Sequence, residues 1–126
     1  MNEEISTPDV AVVGGGPAGL AIATALRRLG AGRVSVLERE SVAGGIPRHC
    51  GHPPFGMREF GRILTGPRYA QRLVECALAN GVSVCTNTTV TSINSGPLLL
   101  VSTPDGVKEM RPRRVILATG VRETPR

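Results

Sequence analysis

A chain of 126 residues is the size of one ordinary domain, and with aromatics at only 2% its core must be built from Val, Leu, Ile and Ala. The formal charge of +5 rests almost wholly on arginine, Lys108 being the single lysine, and is read as a solvated basic surface; no motif that reads DNA or RNA accompanies it, and stacking aromatics are scarce, which argues against nucleic-acid binding. No apolar run approaches the ~20 residues of a bilayer span, and the acidic start Met1-Asn2-Glu3-Glu4 has none of the features of a signal peptide, so a cytoplasmic protein without a membrane span is expected.

Residues 9–13 read as a buried parallel strand, short and Val-rich. The strand breaks into Gly14-Gly15-Gly16-Pro17-Ala18-Gly19, and the turn opens a helix. Gly14, Gly16 and Gly19 fit G-x-G-x-x-G, and Glu38 follows nineteen positions after the third glycine at the end of the next apolar run. The spacing predicts a mononucleotide-binding βαβ unit over 9–38. Gly14 allows the tight turn, Gly16 lets a pyrophosphate approach the backbone, and Gly19 lets the helix sit close on the strand. The free N–H groups and positive end of the helix then face the phosphates.

The helix is expected over 17–29, with Pro17 in the first turn, where its missing N–H costs nothing. Ile22, Ala23, Leu26 and Leu29 continue the stripe of Gly19; Thr24, Arg27 and Arg28 fall on the opposite, solvent-facing side. Gly30 is expected as a left-handed cap. The second strand spans 33–38, burying Val34, Val36 and Leu37 and ending on Glu38, whose carboxylate is placed to accept both hydroxyls of a ribose. Arg39 is of a type that meets 2′-phosphates, but Glu38 opposes such a phosphate by like charge, so a ribose without one fits better.

Residues 39–66 are rich in Gly and Pro and form the expected cofactor-side loop. His49, Cys50 and His52 invite a metal reading, but zinc needs three or four ligands and no second cluster exists. Cys50 has no nearby cysteine for a redox pair, and with Cys76 and Cys85 it is read as a free thiol. A second helix and third strand are expected over 67–85: Tyr69, Leu73, Cys76 and Ala77 share a helical face, Gly81 caps it, and the strand ends on Cys85, a packing residue.

The period then changes. Short β runs at 88–93, 98–102 and 107–110 are separated by Asn94-Ser95-Gly96-Pro97 and Thr103-Pro104-Asp105-Gly106, which predicts an antiparallel meander over 88–111. Arg111, Arg113 and Arg114 read as a solvated connection. Residues 114–120 are expected as another buried strand, ending in Ala118-Thr119-Gly120, where glycine permits close approach of a ligand. The fold class is therefore α/β: a Rossmann-like parallel sheet with an inserted three-stranded antiparallel meander.

The order strand, GGGPAG, helix, strand ending in Glu38-Arg39, Gly44-Gly45, helix, strand, meander and Ala118-Thr119-Gly120 resembles the two-dinucleotide-binding-domain flavoproteins, the pyridine nucleotide–disulfide oxidoreductase class in its broad sense. The resemblance spans nearly the whole chain and implies FAD as cofactor. By that likeness Gly14, Gly15, Gly16, Pro17, Ala18 and Gly19 lie at the pyrophosphate, and Glu38 holds the adenosine ribose beside Arg39. Val90 meets adenine through its backbone, Gly45 lies where the loop passes the flavin, and Ala118, Thr119 and Gly120 approach the FAD phosphates and ribose.

Two departures shape the expected function. Members that reduce disulfides through this domain carry C-x-x-x-x-C after Gly-Gly, and here Cys50 lacks the partner. The text GGIPRHCGHPPFG followed by LTGPRYAQRL instead resembles the FAD subunits of amine-oxidising dehydrogenases, of the opine, hydroxyproline and hydrogen-cyanide-forming glycine types. The second departure is that the family's NAD(P)-type domain and its late Gly-Asp strand do not occur in the 126 residues. The expectation is an incomplete FAD/NAD(P)-binding domain, an amino-terminal portion with an unpaired sheet edge beside its last strand. The intact enzyme would oxidise an amine or amino acid, or exchange hydride with NAD(P)H, together with further subunits or carboxyl-terminal domains. Two other readings stay open: a non-catalytic nucleotide-binding fragment or subunit needing a partner, and the NAD-binding Rossmann domain of a dehydrogenase. No catalytic residue is assigned; His49 and His52 are candidates only through their loop.

Overall fold

The Val-rich runs at 10–13 and 34–37 fold into strands because both of their faces find apolar cover. A computed structural model describes residues 7–44 and 66–120. In chain order these form β1 (Val10–Val13), α1 (Pro17–Arg28), β2 (Val34–Leu37), α2 (Gly66–Ala79), β3 (Ser83–Cys85), β4 (Thr89–Asn94), β5 (Leu98–Thr103), β6 (Gly106–Met110) and β7 (Arg114–Leu117). The parallel sheet runs β3-β2-β1-β7, and β4-β5-β6 form a separate antiparallel sheet, the expected α/β arrangement with a meander.

Strand alternation divides the core in two. Val10, Val12, Val34 and Val36 face the helices and pack with Leu20, Ala23, Tyr69, Leu73, Ala77 and Val82. Ala11 and Leu37 face the other way, against Leu99, Val101 and Met110 of the meander. Each fully buried aliphatic side chain contributes about 1.5–3 kcal/mol relative to exposure.

Both helices end as the glycines predict. Leu29 caps α1, and beyond it Gly30 at φ +78° and Ala31 return their N–H groups to Arg27 and Leu26. Gly81 at φ +83° and Val82 do the same for Leu78 and Ala77 of α2.

Two assignments on α1 are corrected. Thr24 is buried, its hydroxyl donating to the Leu20 carbonyl at 2.8 Å, whereas Leu29 is 83% exposed. The reason is that α1 packs against α2 as well as the sheet, which widens its buried side, while Leu29 is the cap rather than a helical residue. Arg28 is exposed as expected, whereas Arg27 is half-buried and donates to the Asn80 carbonyl just past the end of α2.

The last strand is corrected too. β7 is half-exposed, with Leu117 63% exposed, because among the described residues it pairs only with β1 and forms the edge of the sheet. The connection before it is solvated as expected: Arg111 and Arg114 are exposed. Arg113 stands 3.9 Å from Asp9, a surface pair of little energetic weight.

Candidate nucleotide-binding site

The register aligns the carboxyl ends of all four parallel strands. Val13 is level with Leu37 and Leu117, and Leu37 with Cys85. Gly14, Glu38, Thr86 and Ala118 therefore leave the sheet side by side, at the edge where ligands of open α/β sheets collect.

Gly14 sits at φ +113°, and its N–H donates to the Leu37 carbonyl at 2.9 Å. A Cβ there would stand 2.2 Å from the Ala118 carbonyl oxygen. Ala118 in turn donates its N–H to Val13 at 2.8 Å. Glycine is thus required at 14 by its backbone angle and by the chain leaving β7. At Gly19 the constraint is close approach alone: a Cβ would lie 2.0 Å from the Gly14 carbonyl oxygen.

Gly16 is the N-cap of α1 at φ −79° and ψ −174°, an extended conformation open to any residue. No side chain caps the helix, and its first turn carries no acid. Leu20 closes the first intrahelical bond onto Gly16, and Pro17 has no N–H, so the amides of Ala18 and Gly19 stand ahead of the helical ladder. A bare N-terminus with its positive dipole end and no competing carboxylate in the first turn fits a diphosphate.

Glu38 is nearly buried, 9% exposed. Its Oε1 accepts the Gly15 N–H at 2.9 Å and its Oε2 the Glu40 N–H at 2.7 Å. Its own backbone donates to Cys85 and accepts from Thr88, each at 2.8 Å. The carboxylate therefore lies beside the glycine turn. Gly15 is spoken for on both sides: its N–H meets Glu38, and its carbonyl accepts the Gly44 N–H at 2.7 Å. A Cβ on Gly15 would stand 2.9 Å from that of Glu38. Gly15 consequently holds the turn and presents no donor to its mouth.

The other predicted site residues fall as follows. Arg39 is exposed, 3.9 Å from Glu40. Val90 lies in β4 opposite Val101, packed against the meander core. Thr119 and Gly120 are exposed beyond β7, with Gly120 at φ +75°. Gly45, His49, Cys50 and His52 lie outside the described residues. Sequence reasoning missed the anchoring role of Gly44, at φ +128°; the Gly-Gly pair flagged a special backbone but not what it grips. Cys76 and Cys85 are unbridged, and burial pushes the Cys85 thiol above its ordinary value, as suits a packing residue. Among the described residues no group of three His, Cys, Asp or Glu side chains could hold a metal, and no helix is long and apolar enough to cross a membrane.

Comparison with known proteins agrees with this geometry. The family model for pyridine nucleotide-disulphide oxidoreductases matches residues 8–126. No curated protein matches the chain. Among solved structures, L-proline dehydrogenase from P. horikoshii is 28% identical at a TM-score of 0.75, over 90% of this chain. Thioredoxin reductase from Gloeobacter violaceus is 25% identical at 0.74, over 94% of it. Thermovibrio ammonificans THI4, at 22% identity and a TM-score of 0.72 over 90% of the chain, shares the fold. The chain spans 22%, 38% and 57% of those three proteins respectively. A parallel sheet whose strand ends gather a bare helix N-terminus and a held carboxylate, matched over nearly its whole length by one family model, belongs to the pyridine nucleotide-disulphide oxidoreductase family.

Proposed function

We propose that this chain is the FAD-binding portion of a flavin-dependent oxidoreductase. The observation that carries the reading is the uncapped start of α1 beside the Glu38 carboxylate, two features that a dinucleotide's diphosphate and ribose require together. FAD is favoured over NAD because a three-stranded meander and then β7 follow β3, where an NAD-binding domain continues in β–α–β units.

In this reading the Ala18 and Gly19 amides meet the diphosphate, with Gly14, Gly16 and Pro17 shaping the mouth and Gly15 holding it. Glu38 accepts the ribose hydroxyls, with Arg39 at the rim. Val90 offers its backbone to adenine. Ala118, Thr119 and Gly120 close the approach from β7, and Gly45 opens the loop that passes the flavin. The divisions at 9–38, 39–66, 67–85, 88–111 and 114–120 are the functional segments of the same reading. FAD, when bound, supplies the hydride acceptor; the protein supplies position and electrostatics.

An amine or amino-acid substrate for the intact enzyme is supported by the likeness to L-proline dehydrogenase and by the run GGIPRHCGHPPFG. The C-x-x-x-x-C spacing of members that reduce disulfides through this domain does not follow Gly44-Gly45, so no dithiol role is proposed for this segment. NAD(P), further subunits and the remaining domains belong to the intact parent. The free thiols of Cys76 and Cys85 suit a reducing cytoplasm. Equilibrium dialysis of the chain against FAD and against NAD tests the reading. Retention of FAD in preference to NAD is expected, and the reverse preference would overturn it.

A further inference from the structure

We infer that Glu38 is a positioning residue that sets the shape of the glycine turn before any nucleotide arrives. This rests on the proposed site only for what the turn then binds; the bonds themselves belong to the chain alone.

The geometry forms a relay. The Glu40 N–H donates to Oε2 of Glu38, and Oε1 of Glu38 takes the Gly15 N–H, at 2.7 and 2.9 Å. The Gly15 carbonyl then takes the Gly44 N–H at 2.7 Å. One carboxylate thus ties the turn before α1 to the chain just past β2, and the turn in turn holds Gly44. The backbone of Glu38 is fixed between Cys85 and Thr88, so the carboxylate works from a rigid base. Hydrogen bonds to a charged acceptor are the stronger kind, and this carboxylate is nearly buried, so little water competes for them. Gly15 completes the contact: a Cβ there would be pressed to 2.9 Å from the Glu38 Cβ, so only glycine lets the carboxylate lie over the turn.

A carboxylate that served only to grip ribose would leave the empty turn indifferent to its removal. A positioning carboxylate would not. In Glu38→Gln, one of the two backbone donors faces an amide N–H instead of an oxygen and loses its partner. In Glu38→Ala both lose theirs, and Gly44 loses a fixed acceptor.

The test is amide hydrogen exchange of the nucleotide-free 126-residue chain, followed by NMR. In Glu38→Ala the Gly15, Glu40 and Gly44 amides should exchange faster, by a factor on the order of ten to a hundred at Gly15, while the β1 and β2 ladder amides keep their rates. In Glu38→Gln, the isosteric variant that carries the test if the alanine variant does not fold, at least one of Gly15 and Glu40 should show the increase. A second readout separates positioning from ribose binding. The affinity for 2′,3′-dideoxyadenosine diphosphate, which offers Glu38 no hydroxyl, should fall severalfold in Glu38→Gln, even though removing a negative charge favours an anion. Unaltered exchange at Gly15 and Glu40, or an undiminished affinity for the dideoxy nucleotide, would overturn the inference. If the wild-type chain bound no adenine nucleotide at all, the functional reading would fall, and the exchange rates would still decide the role of Glu38.

Discussion

Gly19 and the Gly14 carbonyl lie closer than any side chain permits: a Cβ on Gly19 would stand 2.0 Å from that oxygen. Helix propensity alone favours Gly19→Ala by about 1 kcal/mol. The clash is with backbone, which cannot step aside cheaply, and overpacking of this kind costs about 1–3 kcal/mol. The clash wins. At a 2.0 Å approach to backbone the upper part of that cost applies, and urea unfolding should show Gly19→Ala less stable than wild type by up to about 2 kcal/mol. A stabilised variant would mean that α1 is free to lift from β1.

Gly14 and Gly30 both have positive φ, yet they should respond differently. At Gly30, φ +78°, an added Cβ meets nothing within 4 Å, so Gly30→Ala should cost only the left-handed strain of about 1–2 kcal/mol. At Gly14, φ +113°, the Cβ would also stand 2.2 Å from the Ala118 carbonyl oxygen. Gly14→Ala should therefore be the more damaging by denaturant midpoint. Equal losses would show that the end of β7 yields freely.

Arg27 ties the end of α1 to two other backbones. Its Nε donates to the Asn80 carbonyl at 3.0 Å, and its Nη1 to the Gly32 carbonyl. Arg27→Met keeps the apolar stem and removes both bonds. A loss of about 1–3 kcal/mol in chemical unfolding is expected, with the larger effect on exchange near the α2 terminus. A variant as stable as wild type would show that water replaces the guanidinium without cost.

Cys85 links stability to pH. Burial raises its folded value above the unfolded thiol's, so folding favours the neutral form. Its contribution is then fully present below the unfolded value of ~8.5 and is lost as pH rises through the higher folded value. Unfolding midpoints at neutral and alkaline pH should fall more steeply for wild type than for Cys85→Ala. Identical slopes would remove Cys85 from the linkage.

Much of this was legible in the sequence for local reasons. The glycine spacing, Gly30, Gly81 and the change of period after Cys85 each report a constraint acting within a few residues, and each element formed where expected. What the sequence hid depends on neighbours distant along the chain. Thr24 looked solvent-facing until α2 packed on α1, and residues 114–117 read as buried although an open sheet edge was expected beside them, because apolar content does not say how far such an edge exposes its own strand. Glu38 was legible as a strand-end acid, but its grip on Gly15, 23 positions away, follows from the β1–β2 register rather than from any motif.

The central claim is that the mouth of α1 receives a diphosphate, and Gly16 tests it most directly. Its backbone is extended, so Gly16→Val adds no left-handed strain, and the capping loss is on the order of 1 kcal/mol. Titration of FAD into wild type and Gly16→Val, followed by flavin fluorescence and paired with thermal melts, separates access from folding. The account predicts that wild type binds FAD and that the valine variant, still folded, loses at least about tenfold in affinity, a change of ~1.4 kcal/mol. Equal affinities for FAD in two folded proteins would contradict it.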